Sequence, residues 1–276
     1  MHVKRPSLSK FDANIVRITA MLQTNSDTIR LDFAKALARE VGILAREMQK
    51  NLGRVEQKGH QDYVSEVDRN IEAIIRDKVI EAFPGDLMLG EELGGQTGDS
   101  LWVVDPIDGT SNFVRGQSFW CVSISYLRDG KPVVGVIYAP ATDELFYAHA
   151  GRGAFCNGAP MRVKKVNNES EAVIEMDWSP SESPEELISM LAKFLKAGFE
   201  FHRSGSCALC LANVANGKMD AYWEVFTKPW DALAGYLLVK EAGGQTNDFE
   251  SNLFENQGNL IIAASPELFG KIVKLF

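Results

Sequence analysis

From Asp27 onward, the apolar residues Ile29, Phe33, Leu37, Val41, Leu44 and Met48 recur at steps of three and four. That spacing predicts an amphipathic helix with Asp27 as its N-cap. A second helix is predicted with Ile71, Ile75, Val79 and Phe83 on one face, stopped by Pro84-Gly85. The period then changes. Leu101 to Val104, Phe119 to Tyr126, Val133 to Tyr138 and Glu144 to Ala148 read as strands, broken at Asp129-Gly130 and Ala139-Pro140 and followed by Gly151-Arg152-Gly153. The last three form a predicted β-meander, hence antiparallel pairing. Further on, helices and strands alternate. Ser183-Pro184 opens one helix, and a second runs from about Ser206 to Asn216-Gly217. Met219 to Val225 reads as a strand, and a helix starts near Asp231 and ends at Gly243-Gly244. Asn259 to Ala264 is an apolar strand, and Ser265-Pro266 opens the last helix. Runs of strands and runs of helices predict an α+β fold. A composition shift near residues 155–160 divides the chain into an arm (1–27), an N-terminal α+β half (28–157) and a C-terminal α/β half (158–276).

Composition narrows the function more than the fold. The 276 residues are 45% hydrophobic, enough to bury a sizeable core. The formal net charge is −8, so the broad basic footprint of a nucleic-acid or anionic-membrane binder is missing. No direct nucleic-acid binding is expected, and a phosphate ligand would need a local source of positive charge such as bound cations. No run of about 18 apolar residues predicts a membrane span. Met1 to Asn25 lacks the apolar block of a secretory signal and reads as a loosely docked or poorly ordered arm, which makes the chain cytoplasmic by expectation. Cys207 and Cys210 have the C-x-x-C form, but with no second pair or nearby histidines this is a weak zinc or redox signal, and they read as two small buried residues on a helix.

Four acidic sites carry the candidate chemistry: Asp68, Glu91, the pair Asp105 and Asp108, and Asp231. Each also has a plain structural reading. Asp68 could complete a capping box with Ser65, Glu91 could be a solvated loop acid, and Asp231 could be an N-cap. In Asp105-Pro-Ile-Asp108-Gly-Thr110 an apolar strand runs directly into two aspartates. Pro106 fixes φ there and Gly109 permits a tight turn, although aspartates also serve as simple turn formers. Brought together, such carboxylates would repel one another unless protons or cations compensated. Their hard oxygens suit Mg²⁺ or Mn²⁺, two or three of which could polarise a phosphoryl group and activate water.

Gly90-Glu91-Glu92, Asp105-Pro-Ile-Asp-Gly-Thr-Ser-Asn-Phe113 and Trp230-Asp-Ala-Leu-Ala-Gly235, in that order, resemble the signature motifs of the inositol monophosphatase family. The resemblance runs from about residue 28 to 276. It implies an α-β-α-β-α layered sandwich and a Mg²⁺-dependent, lithium-sensitive phosphatase, usually a homodimer. By this resemblance Glu91, Asp105 and the Ile107 carbonyl hold one metal, and Asp105, Asp108 and Asp231 a second. Glu91 also touches a third, which Asp68 reaches through water. Asp68 and Thr110 orient or deprotonate the attacking water, with Glu91 counted among the catalytic residues. The backbone N–H groups of Gly109 and Thr110 hold the phosphate. Gly205, Ser206, Cys207 and Glu224 face the alcohol portion, beside Asp108 and Asp231. The implied substrate is myo-inositol monophosphate or a similar polyol phosphate. Histidinol phosphate, fructose 1,6-bisphosphate and 3′-phosphoadenosine nucleotides are the alternatives. Some bacterial members also join RNA-polymerase antitermination complexes.

Overall fold

A computed structural model describes residues 10–52, 55–59, 62–178, 183–251, 253–254 and 258–276, and their side chains except at 10–25, 57–59 and 62–65. The elements are, in order, α1 (Lys10–Gln49), β1 (Val55–Gly59), β2 (Asp62–Ser65), α2 (Glu66–Ala82), β3 (Leu87–Gly90), β4 (Gly94–Gly95), β5 (Ser100–Asp108) and α3 (Thr110–Val114). The strands β6 (Cys121–Arg128), β7 (Lys131–Ala139), β8 (Glu144–His149), β9 (Ala154–Cys156), β10 (Ala159–Pro160) and β11 (Val173–Met176) come next. Then follow α4 (Pro184–Ala197), β12 (Glu200–His202), α5 (Cys207–Ala215), β13 (Ala221–Thr227), α6 (Pro229–Glu241), β14 (Gln245–Thr246), β15 (Asn259–Ala264) and α7 (Pro266–Val273).

Two large sheets organise the chain. The eight-stranded sheet has the order β10-β9-β8-β7-β6-β5-β3-β4, and the five-stranded sheet β12-β11-β13-β15-β14. The predicted meander is present, with β6, β7 and β8 paired antiparallel in sequence. Alternation along each strand then sorts side chains into layers. On β5, Trp102 and Val104 point toward α1 and α2, where they meet Leu37, Val41, Ile71, Ile75 and Val79. Leu101 and Val103 point the other way, into a core shared with α5 and α6. The five-stranded sheet repeats the logic. Tyr222, Ile261 and Ala263 join the α5–α6 core, while Trp223, Ile262 and Ile174 pack against Phe194 of α4 and Leu268 and Ile272 of α7. The result is an α-β-α-β-α sandwich whose middle layer, α5 and α6, is covered on both sides. This is why α5 is apolar at eight of its nine positions and buries both Cys207 and Cys210.

Several expectations change. The N-terminal segment is helical from Lys10, so it continues α1, and residues 1–9 lie outside the described residues. Asp27 is therefore inside a helix and not a cap; its buried carboxylate pairs with Arg128 of β6. Ile29 and Leu44 are exposed, and the buried stripe of α1 is Ala34, Leu37, Ala38, Val41 and Ala45. At about 100° per residue, each i+4 step rotates the row by about 40°, which carries Ile29 off the buried face, and the i+3 step from Val41 turns Leu44 back by about 60° to its edge. The Ser65 half of the expected capping box also lies outside the described side chains. β11 and β12 had no counterpart in the sequence pattern. Among the described residues no helix is long and apolar enough to cross a membrane.

Candidate active site

The site is built where β5 ends. Pro106 has no N–H to give the ladder, and the pairing of β5 with β6 slips by one residue between Asp105↔Ser123 and Asp108↔Cys121. This bulge re-aims the strand's last side chains. Asp105 folds back to accept the Ile107 N–H at 2.8 Å, and the chain leaves through Gly109, which has φ 97°. A side chain at position 109 would be strained at that φ and would also come within 3.0 Å of the Phe119 carbonyl.

Three distant stretches meet at this corner. β3 runs parallel to β5, so the turn after Gly90 brings Glu91 alongside Asp105, and the Glu91 N–H bonds Val104 O at 3.2 Å. Asp231 enters from the first turn of α6, whose start is tied to β6 by Ser123 Oγ donating to Trp230 O at 3.1 Å. The helix begins at Pro229 with Lys228 as its N-cap. Asp231 is thus at the third helical position and accepts the Lys228 N–H at 3.1 Å, which corrects its reading as a cap. Carboxylate oxygens of Glu91, Asp105 and Asp231 lie within 4.8 Å of one another.

Asp108 lines the same cavity but is partly committed elsewhere. Its Oδ2 accepts from the Ala208 N–H at 2.8 Å, from Ser206 Oγ, and from Cys121 Sγ at 3.6 Å. Ser206, expected to face the substrate, is turned onto Asp108 instead and caps α5 as it does so. Asp68, on α2, is buried, and the Thr110 hydroxyl has both Asp68 Oδ1 (3.2 Å) and Ile107 O (3.0 Å) as acceptors. Glu224 is held by Tyr222 and Thr227, whose hydroxyls donate to its Oε2 at 2.6 and 2.9 Å.

These residues open on a cavity of about 360 Å³ whose walls include Gly109, Thr110, Gly205, Cys207 and Glu224. Asp177, Trp178 and Arg203 also line it, and sequence reasoning missed them. A signal existed for the first two, since they directly follow β11, apolar at three of its four positions, as Asp105 follows the apolar half of β5. Asp177 accepts from Trp178 N–H at 2.9 Å and pairs with Arg203 at 3.2 Å.

The electrostatics ask for cations. Burial, then the neighbouring Glu91, Asp108 and Asp231 charges, push Asp105 well above the usual carboxylate range. Burial and the Glu91 and Asp108 charges do the same to Asp231. Burial raises Asp108 to about 6 against the pull of its Ser206 and Ala208 hydrogen bonds. Such a set is stable with protons or with positive ions, and its donors are oxygens only, as Mg²⁺ and Mn²⁺ require. The sign for stability follows. With raised folded-state values, the stabilisation from holding these protons is fully present below the ordinary range near pH ~4. It is lost as pH rises through the folded values, about 6 for Asp108. Bound metal ions would replace the protons, so Mg²⁺ should raise the melting temperature more at pH 8 than at pH 5.5. Equal or reversed shifts in a thermal melt would contradict this electrostatic account.

The comparisons agree with this geometry. The model of the inositol monophosphatase family matches residues 28–276. The chain is similar to inositol monophosphatase 2 of Solanum lycopersicum, at 35% identity over 86% of this chain and 94% of the relative. It is also similar to the Nus factor SuhB of Vibrio cholerae, at 35% identity over 86% and 91%. Among solved structures, the IMPase of Thermotoga maritima superposes with a TM-score of 0.81 at 35% identity, covering 89% of this chain and 96% of that one. With its layered fold, its carboxylate cluster and this match over nearly its whole length, the chain belongs to the inositol monophosphatase family.

Proposed function

We propose that this protein hydrolyses a phosphate monoester of a small polyol, myo-inositol monophosphate or a close analogue, with Mg²⁺ as its cofactor and Mn²⁺ as a substitute. The observation that carries this reading is the convergence of Glu91, Asp105 and Asp231 at a cavity that also exposes Thr110. Glu91, Asp105, Asp231, the Ile107 carbonyl and Asp108, through the oxygen it does not give to α5, would hold the ions. The ions would supply charge neutralisation and Lewis acidity at the phosphoryl group. The chain's own groups do the rest. Asp68 accepts the Thr110 proton, which leaves the hydroxyl oxygen free to accept a hydrogen bond from the attacking water and orient it for in-line approach. The N–H groups of Gly109 and Thr110 bind phosphate oxygens. Gly205, Cys207 and Glu224 contact the alcohol.

Glu224 offers the finer test of substrate class. Its Oε2 is held by Tyr222 and Thr227, and the residue lines the cavity where ring hydroxyls would bind. In Glu224→Gln the amide oxygen can keep those two bonds, which leaves an NH₂ group facing the cavity. For a polyol phosphate, kcat/KM should fall by roughly 1–2 kcal/mol. For an amine such as histidinol phosphate the fall should be larger and should shrink with added salt. Unchanged kcat/KM on every accepted substrate would remove Glu224 from the pocket.

The deciding experiment is phosphate release with Mg²⁺ over inositol monophosphate, histidinol phosphate, fructose 1,6-bisphosphate and 3′-phosphoadenosine nucleotides, with and without Li⁺. Release from none of them would overturn the proposal. The relative named a Nus factor favours a second reading, association with RNA polymerase through a surface apart from the cavity. Binding to purified polymerase that survives Asp105→Asn would establish it as separate from catalysis.

A further inference from the structure

We propose that Glu72 and Arg76 are positioning residues that fix the angle at which Glu91 enters the cavity, and so set the affinity for metal. The inference rests on reading Glu91 as a metal ligand. Asp68, Glu72 and Arg76 follow one another at steps of four, which places them in a row along one side of α2. Asp68 meets Thr110, as described. Glu72 is fully buried, is absent from the cavity wall, and has its carboxylate pressed against the turn of residues 91–93 that joins β3 to β4. Glu72 Oε2 accepts the Glu92 N–H at 2.7 Å, and Oε1 accepts the Leu93 N–H at 3.2 Å. Arg76 completes the grip: Nη2 donates to Glu72 Oε1 at 2.9 Å and to Gly94 O, just past the turn, at 2.6 Å. Because Val104 O takes the Glu91 N–H, all three N–H groups of the turn are held from outside it.

The peptide planes of this turn cannot rotate without stripping a buried carboxylate of its donors, so the backbone that aims Glu91 has one setting. Gly90 leaves room for the device, since a Cβ there would fall 2.1 Å from Glu72 Oε1. Stability alone is a poor reason for it. A buried ion pair is often no better than apolar packing, and Arg76 Nε is left buried without a partner. Of the three carboxylates that converge, Glu91 is the one that comes from a short turn and not from a long strand or helix, and it is the backbone of that turn that the pair holds.

The test is calorimetric titration of the EDTA-treated full chain with Mn²⁺, on wild type, Glu72→Gln and Arg76→Lys, each with a thermal melt. A glutamine amide has one acceptor end, so it must release one of the two N–H groups and the ion pair. The Mn²⁺ concentration for half-saturation should rise about ten- to a hundredfold in Glu72→Gln, the range seen when groups behind a metal ligand are removed. The same shift, smaller, is expected in Arg76→Lys, which keeps a charge but loses the double contact. Saturating metal should restore most of the phosphate release. Wild-type Mn²⁺ affinity in a folded Glu72→Gln, or a loss confined to melting temperature, would overturn the inference alone. If Glu72→Gln does not fold, Arg76→Lys decides by the same two criteria. No Mn²⁺ binding by the wild type would overturn both the inference and the reading of Glu91 beneath it.

Discussion

Dialysis against EDTA is expected to abolish phosphate release from inositol monophosphate, and added Mg²⁺ to restore it. The argument is electrostatic. Glu91, Asp105 and Asp231 bring carboxylate oxygens within 4.8 Å of one another, and Asp108 lines the same cavity. Two like charges about 4 Å apart repel by about 4 kcal/mol at the effective dielectric of a protein surface. A phosphate monoester dianion would add to that repulsion. Without cations the site either keeps its protons, as the raised Asp105 and Asp231 values indicate, or excludes its substrate. Neither state hydrolyses a phosphate ester. Full turnover by protein shown metal-free by elemental analysis would sink this account.

Asp105→Asn should lower kcat by at least a hundredfold, or about 2.7 kcal/mol in barrier height. Asp105 is buried, and its Oδ1 already accepts the Ile107 N–H. An asparagine can keep that bond only through its single oxygen, so it must turn an NH₂ group toward the cavity, where an acceptor is needed. The same change removes one buried charge. Metal-free Asp105→Asn should therefore melt above metal-free wild type at pH 8, as expected of a site that trades stability for function. Glu92→Gln is the control. The Glu92 backbone N–H is part of the turn, but its carboxylate is not among the three that converge. Its effect should stay below about threefold, the ordinary size of a surface substitution. Equal losses in the two variants would overturn the choice of Glu91 over Glu92.

Local pattern sufficed where structure is local. The second helix was read from Ile71, Ile75, Val79 and Phe83; the first three are buried on it, and Phe83, partly buried, follows its last residue. The meander was read because hairpins pair with their sequence neighbours. Ser265-Pro266 announced α7 through cap chemistry alone, and Ser265 does accept the Leu268 N–H. Pro106 and Gly109 marked the end of β5 as a built turn for the same reason: their backbone constraints act within a few residues.

What the sequence determined by itself was the set of elements with short-range periodicity, the oxygen-only chemistry of its acidic motifs, and an acidic balance that leaves any phosphate in need of a local source of positive charge. Only the tertiary structure decided which groups meet. Glu91 reaches Asp105 because β3 pairs parallel with β5, a crossover that no local period encodes. Asp231 joins them because the start of α6 is anchored on β6. The same packing turned Ser206 onto Asp108, took Asp27 out of its capping role to pair with Arg128, and placed Asp177 and Trp178 in the cavity wall. It also put Glu72 behind the Glu91 turn, where its spacing on α2 alone would have made it one more helical acid. The physical reason is common to all of these. Hydrophobic periodicity records which face of an element is buried, but a polar group's partner is chosen by whichever element is packed against that face.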